Sequence, residues 1–561
     1  MYFCGQGMLS NKEVSTIFKT IGGLMELHGE NDFKTKSYAN AAFQIGRIHE
    51  PVMELEEDDL AKRQGIGKSV AAKIVELRNS GTIAALEELM AITPPGIIEI
   101  LRIKGLGGKK VGVIWRELGI ETIGELLYAC NENRLSKLKG FGEKTQESVI
   151  QSINYYQSNQ GKFRYATIAA IVDEMLAAMQ QQLTSGKIAL CGAIRRQDNI
   201  IDVVQFIVNT SANISQHLSA FSFLEIKEQN ETLITGKAQN DIHFQINIVE
   251  DAQFYFELFI RSGDEGFVNS VLPKLNGKTQ FDSEEALFEA AGEPYRAPEL
   301  RVAAIKQVET DNPIVRFEDI QGVVHNHSTW SDGKNTVAEM AEACKKNGYA
   351  YFVISDHSKT AVYAGGLTEA QIIAQQKEIT TLNASSGIKI YSSIECDILN
   401  DGTLDYDDAV LKTFDLVIVS IHQNLKMDID KATQRLLRAI ENPYTTILGH
   451  MTGRLLLSRP GYPVDHKKII DACAANDVVI EINANPYRLD IDHTYIPYAM
   501  EKGVMISINP DAHSIEGIGD IKWGVISARK GGLTKAMCWN AQSLETVDNW
   551  LIARKKKKGI L

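Results

Sequence analysis

Apolar residues recur along this chain in different rhythms, and the rhythm changes from one stretch to the next. Through the first third they fall at helical spacing, as in Val70-Ala71-Ala72-Lys73-Ile74-Val75, so that part is predicted to be helical. From about Arg164 to Ala291 helical stretches mix with strand-like runs such as Lys187-Ile188-Ala189-Leu190 and residues 203–208. Beyond residue 321 short apolar runs alternate with helical periodicity, which predicts parallel strands joined by helices. Tyr351-Phe352-Val353-Ile354 precedes Asp356, and Leu416-Val417-Ile418-Val419 precedes His422. In barrels of that kind the strand ends collect on one face. Groups distant in sequence are therefore expected to meet in space.

The groups at those ends have the chemistry of metal ligands. In order they are His325-Asn326-His327, Ser331-Asp332-Gly333, Ser355-Asp356-His357-Ser358, Ile394-Glu395-Cys396, Ile421-His422-Gln423, Gly449-His450 and Asp511-Ala512-His513. Two-residue spacing on a strand projects side chains to one side, so His325 and His327 can share an ion, and Asp511 with His513 repeats the spacing. Glu395 follows the run Ile388-Lys389-Ile390-Tyr391 and could bridge two ions. Mixed imidazole and carboxylate donors suit manganese, zinc or iron. His466 and His493 lie outside these motifs and read as packed residues.

A glycine hairpin recurs three times in the helical third: Gly65-Ile66-Gly67 before Lys68, Gly105-Leu106-Gly107 before Lys109, and Gly140-Phe141-Gly142 before Lys144. Each follows an apolar helical stretch and opens another helix, the pattern of a helix-hairpin-helix. The glycines permit a tight turn and close backbone approach, and the following helix turns its first N–H groups toward a phosphate. Contacts of this type grip the DNA backbone and carry little sequence preference.

Bulk properties narrow the picture only modestly. A chain of 561 residues implies several domains. A net charge of −12 does not advertise nucleic-acid binding, which depends on local patches. Seven cysteines without a C-x-x-C pair argue for reduced, cytosolic thiols and against a cysteine zinc site. No run is long and apolar enough to predict a membrane span. Residues 1–7 read as a leader, with Met8 as the natural start, and the tail Arg554-Lys555-Lys556-Lys557-Lys558 as a solvated basic terminus.

With these motifs in hand, the chain from about Met8 resembles a bacterial family X DNA polymerase carrying a C-terminal PHP (polymerase and histidinol phosphatase) domain. The resemblance is carried by residues 29–38, the three hairpins, the palm-like Cys191-Gly192-Ala193-Ile194-Arg195-Arg196, Pro298-Glu299-Leu300-Arg301 and the histidine–carboxylate series. It implies a helical helix-hairpin-helix region, with a small lyase-type domain over residues 8–90 and fingers over 91–160. An α+β palm and thumb would follow at 161–301, a linker at 302–320, and a PHP domain at 321–561 folded as a distorted (β/α)7 barrel. It further implies three divalent ions: one held by His325, His327, Glu395 and Asp511, a second by Glu395, His422 and His450, a third by Asp332, His357 and His513. Arg454 and Arg488 match phosphate-gripping positions, and Lys73 falls where lyase-active relatives form a Schiff base with an abasic sugar.

The palm departs from the family at its chemistry. The paired aspartates expected after the glycine turn fall on Val203 and Gln205, or with a one-residue shift on Asp202 and Val204. The third expected aspartate falls on Gln245, and the nucleotide-binding Ser and Gly are replaced by Ala193 and Gln197. Two-metal phosphoryl transfer needs anionic ligands, so the polymerase site is expected to be inactive. The leading expectation is a monomeric cytosolic repair nuclease acting on gapped, nicked or abasic DNA as a 3′–5′ exonuclease or abasic-site endonuclease. The alternatives are an active gap-filling polymerase, a small-molecule phosphatase like histidinol phosphatase, and a non-catalytic DNA scaffold.

Overall fold

The computed structural model describes residues 9–48, 50–183, 185–302 and 312–561. The expected leader 1–7 and residues 303–311 of the expected linker lie outside the described residues. The chain divides into two compact units, Met1–Gln160 and Gly161–Leu561.

The first unit is helical. Its opening helix, Asn11–His28, starts at a capping box in which Ser10 accepts from the Glu13 N–H and Glu13 reaches back to the Ser10 N–H. That helix ends at Gly29, whose φ of 74° is the left-handed conformation glycine adopts without strain. Each hairpin folds in one way. The first glycine is left-handed, with φ of 76° at Gly65, 91° at Gly105 and 90° at Gly140. The central apolar residue, Ile66, Leu106 or Phe141, is buried. The second glycine caps the next helix, Lys68–Ser80, Gly108–Leu118 or Glu143–Asn159, with no side-chain cap. The apolar plug thus fixes the turn to the core while no side chain caps the helix start.

The second unit carries two sheets of five and seven strands and one two-stranded ribbon. The ribbon pairs β1 (Phe163–Arg164) with β3 (Ile200–Ile201). The five-stranded sheet comprises β2 (Ile188–Cys191), β4 (Val204–Asn209), β5 (Glu225–Gln229), β6 (Leu233–Lys237) and β7 (His243–Val249), in the order β2-β4-β7-β6-β5. Its β4–β7 pair is parallel and the others are antiparallel. Helix Tyr165–Gln182 buries Ile168, Val172, Met175 and Met179, one helical stripe, as part of the same core. Among the helices that follow, Phe254–Ser262 and Glu284–Ala290 are tied to the palm-like turn by Arg195, which donates to Ser262 at 2.9 Å and to Glu284, itself bonded to the buried Arg301.

The seven-stranded sheet is wholly parallel: β8 (Gly322–Asn326), β9 (Tyr351–Ile354), β10 (Lys389–Asp397), β11 (Leu416–Ser420), β12 (Ile447–Leu448), β13 (Val479–Asn483) and β14 (Ile506–Asn509). Strands β8, β9, β11 and β13 are buried at every position, as expected where helices cover one side and the barrel interior fills the other. The first and last strands meet beyond β14 through the bridge Asn326–Ala512, which brings the sheet close to a closed barrel. Among the described residues no helix is long and apolar enough to cross a membrane. The six cysteines described are free and buried.

Candidate metal centre

All nine ligand candidates converge on the C-terminal end of this barrel, with Glu395 at the middle. Its Oε1 lies 3.0 Å from His450 Nε2, 3.2 Å from His422 Nε2 and 3.2 Å from His325 Nε2. Its Oε2 lies 2.9 Å from His357 Nδ1 and 3.7 Å from His327 Nε2. Asp332 stands 3.6 Å from His357 and 3.4 Å from His513, while Asp511 stands 3.0 Å from His327 and 3.7 Å from His325. Donor atoms gather in three overlapping groups: His327, Asp332, His357 and His513; His325, His327 and Asp511; His357, Glu395 and His422. His327 and His357 are shared between groups, a distribution less segregated than three separate ion sites would suggest.

Strand alternation does not explain how His325 and His327 come together. His325 has φ of 64°, and the β8–β9 register slips between Val323 and Asn326, which marks a bulge. Asp511 is likewise left-handed, with φ of 53°. Such backbone costs about 1–3 kcal/mol at a non-glycine residue and persists only where the surroundings enforce it. Here the Ala512 N–H donates to His325 O at 3.3 Å and the His327 N–H donates to Ala512 O at 2.9 Å. Barrel closure therefore holds both ligands in place.

The buried donors fit metal ions better than they fit one another. His325 Nε2, His327 Nδ1, His357 Nδ1 and Glu395 Oε2 are buried, yet none completes a well-angled hydrogen bond. Burial pulls the His325 pKa down, but Glu481, Glu395 and Asp511 outweigh it and hold it well above the usual imidazole range. His422 is pushed up to about 10 and His513 to about 9 because their carboxylate neighbours overcome burial in the same way. His327 moves down, through burial and the adjoining His513 and His357. Burial opposes ionisation of Glu395 and Asp511, but the surrounding imidazoles hold both carboxyls well below the carboxylate range. Metal ligation requires deprotonated imidazole nitrogens, so ions binding these donors would displace protons.

Three supporting residues went unrecognised in the sequence. Glu481, fully buried on β13, accepts from His325 Nδ1 at 2.6 Å and from the His450 N–H at 3.0 Å. Asp397 accepts from His422 Nδ1, and Asn483 donates to both Glu481 and Asp511 at 3.0 Å. Such partners fix which imidazole nitrogen faces an ion. The pairs Glu395/Asp397 and Glu481/Asn483 repeat the two-residue spacing seen in the histidines, and that signal could have found them. Asp356, inside a recognised motif, anchors the loop after β8 by accepting from the Ser328 N–H at 2.8 Å and the Ser331 hydroxyl at 2.6 Å.

The remaining expected residues are placed as follows. Arg488 Nε lies 3.7 Å from Asp511 Oδ2, beside the cluster. The Arg454 guanidinium is engaged by the Arg488 and Leu489 carbonyls and by Asp492 at 2.7 Å, so it holds the loop that carries Arg488. Lys73 pairs with Glu76 at 2.6 Å, and that hydrogen bond raises its pKa, the opposite of what a Schiff-base amine needs. Lys109 meets Asp32 at 3.1 Å on the surface. In the five-stranded sheet Gln205 and Gln245 are neighbours on β4 and β7, and their amides lie 3.5 Å apart, with Gln245 donating onward to Asn247 at 2.8 Å.

Comparison with known proteins agrees with this architecture. Residues 9–83 match the helix-hairpin-helix domain, 97–154 the SAM-like helix-hairpin-helix tandem, and 324–485 the PHP domain. The DNA polymerase/3′-5′ exonuclease PolX of Bacillus subtilis (strain 168) is 32% identical over 574 aligned residues, covering 97% of this chain and 99% of that protein. A probable phosphatase of Thermoanaerobacter sp. (strain X514) is 26% identical over 42% of this chain and 96% of its own length. One from Vibrio atlanticus (strain LGP32) is 28% identical over 35% of this chain and 79% of its own length. With nearly its whole length aligned to one relative and its barrel carrying an assembled ligand set, the chain belongs to the family X DNA polymerases that end in a PHP domain, DNA-binding proteins with a hydrolytic metal centre.

Proposed function

We propose that this protein is a metal-dependent phosphodiesterase that shortens DNA strands from the 3′ end, with its polymerase site silent. The carrying observation is the Glu395 cluster, in which one buried carboxylate gathers five imidazoles at a strand-end mouth. Divalent ions held there, three by family resemblance and manganese, zinc or iron by donor type, would acidify a water and polarise the phosphoryl group. The protein's own part is to hold the donors. Glu481 and Asp397 orient His325 and His422, while Glu481 also accepts from the His450 N–H and Asn483 donates to Asp511. Arg488, beside Asp511, is placed to face a phosphate oxygen, and Arg454 keeps its loop in position.

Several observations support DNA as the substrate. Three bare helix starts follow buried hairpin plugs, a device a small-molecule phosphatase does not need. The Bacillus relative is named for exonuclease activity. In the palm, neutral amides at Gln205 and Gln245 replace the anions that polymerisation requires. We place its action on gapped, nicked or abasic duplexes in repair, as a cytosolic monomer, with abasic-site incision a further activity of the same centre. Schiff-base chemistry at Lys73 is disfavoured by its hydrogen bond to Glu76, which raises the pKa of the amine.

The test is an end-labelled gapped duplex incubated with manganese, alongside a small phosphate ester and the variant His327→Ala. Laddered shortening that the variant abolishes is expected. The second reading, a phosphomonoesterase, is favoured by the relatives named as probable phosphatases. Cleavage of the small ester alone would establish it instead.

A further inference from the structure

Between His357 and the helix Glu369–Asn383 the chain makes a tight turn whose tip is apolar and exposed: Val362 is 81% exposed and Tyr363 56%. Single exposed apolar residues are ordinary on protein surfaces. This pair differs in how it is held and where it stands.

The turn is pinned along its length. The Ala364 and Gly366 N–H groups both donate to Ala361 O, at 2.9 and 3.1 Å, and the Leu367 N–H donates to His357 O at 2.9 Å. The Thr360 hydroxyl reaches Asp397 and Asp405 at 2.9 and 3.0 Å, and Gln423 donates to Thr360 O at 2.9 Å. A Cβ on Gly366 would sit 1.8 Å from Ser358 O, so the loop is closed hard on itself. The aromatic ring is therefore presented by a rigid support. Its centroid lies 6.1 Å from that of His357. Partial burial and the fields of Glu395, Asp397 and Asp332 all push its hydroxyl pKa upward, while Arg488 opposes them.

We propose that Tyr363, backed by Val362, is the stacking platform for the base of the nucleotide being removed, and so selects strand ends over small phosphate esters. The proposal rests on the nuclease reading above. A phosphate seated among the histidines is separated from its base by one sugar, and the exposed ring stands beside His357, one of those histidines. Every base has a π-face, so such a platform tolerates any terminal base. It adds discrimination against substrates without a base, which the metal centre alone does not supply.

The test uses the full-length protein with manganese and gapped duplexes whose recessed strand ends in either an ordinary 3′ nucleotide or an abasic tetrahydrofuran residue. For the base-ended strand, Tyr363→Ala should raise KM about ten- to a hundredfold, the worth of one base–aromatic stack, with kcat little changed. Tyr363→Phe should behave as the parent protein, and on the abasic-ended strand all three proteins should share one KM. Equal losses on both strands, an unchanged KM in Tyr363→Ala, or a Phe variant as weak as Ala would each overturn the platform while leaving the nuclease intact. Failure of the parent protein to shorten either strand would overturn the nuclease reading and the platform together.

Discussion

Replacing Glu481 with glutamine should weaken divalent-metal binding without unfolding the barrel. Glu481 touches no expected ion position itself, yet its carboxylate accepts four hydrogen bonds. Oε2 accepts from His325 Nδ1 at 2.6 Å and Asn509 Nδ2 at 2.8 Å; Oε1 accepts from the His450 N–H and Asn483 Nδ2, both at 3.0 Å. Glutamine keeps one oxygen and turns an NH2 group toward one of these donor pairs. Either His325 loses its acceptor and with it the preferred tautomer, or His450 is pushed from its backbone anchor. A charge-assisted hydrogen bond is worth about 1.5–3 kcal/mol. At ~1.4 kcal/mol per factor of ten, that is an ion bound roughly 10- to 150-fold more weakly, in keeping with other partners of metal-bound histidines. The assay is a manganese titration of strand shortening, paired with calorimetry on chelator-stripped protein and the melting temperature of the metal-free form. An unchanged titration midpoint in a normally melting variant would refute the reasoning. A lowered melting temperature with unchanged metal affinity would reduce Glu481 to a packing role.

Ion loading should release protons, because His422 and His513, pushed up to about 10 and about 9, hold them at neutral pH in the metal-free protein. Calorimetry in buffers of different ionisation enthalpy reads this directly, and buffer-independent heats would contradict it. These raised values also stabilise the metal-free fold below the unfolded imidazole pKa of ~6.5, and that contribution is lost as pH climbs through 9 to 10. The metal-free melting temperature should accordingly fall between pH 7 and 10, and His422→Gln should shallow the fall. Arg488→Ala should lower kcat about 100- to 1,000-fold while leaving ion content unchanged, in line with losing one donor to developing charge; a kcat within twofold of the parent would remove Arg488 from the chemistry. Primer extension on a gapped duplex with magnesium or manganese should fail, and robust incorporation that survives Asp202→Ala would overturn the silent palm.

Motifs that act locally were legible in the chain. Two glycines around one apolar residue mark each hairpin, since the left-handed turn is a local property of glycine. The parallel strands were legible because a strand covered on both faces is a continuous apolar run, and most of the candidate ligands close or follow such a run. The missing palm anions were also plain, because charge belongs to the residue whatever its surroundings. Tertiary structure alone decided which donors come together. His325 reaches Glu481, 156 positions away, through a left-handed kink that barrel closure imposes, and no spacing rule encodes that path. It also decided the roles of the cations: Arg454 turns to carbonyls, Lys73 to Glu76, and Arg488 to the cluster. Residue type and local periodicity are properties of the chain, whereas pairing, burial and shifted protonation arise only once the folded barrel excludes water and brings distant strand ends within bonding distance.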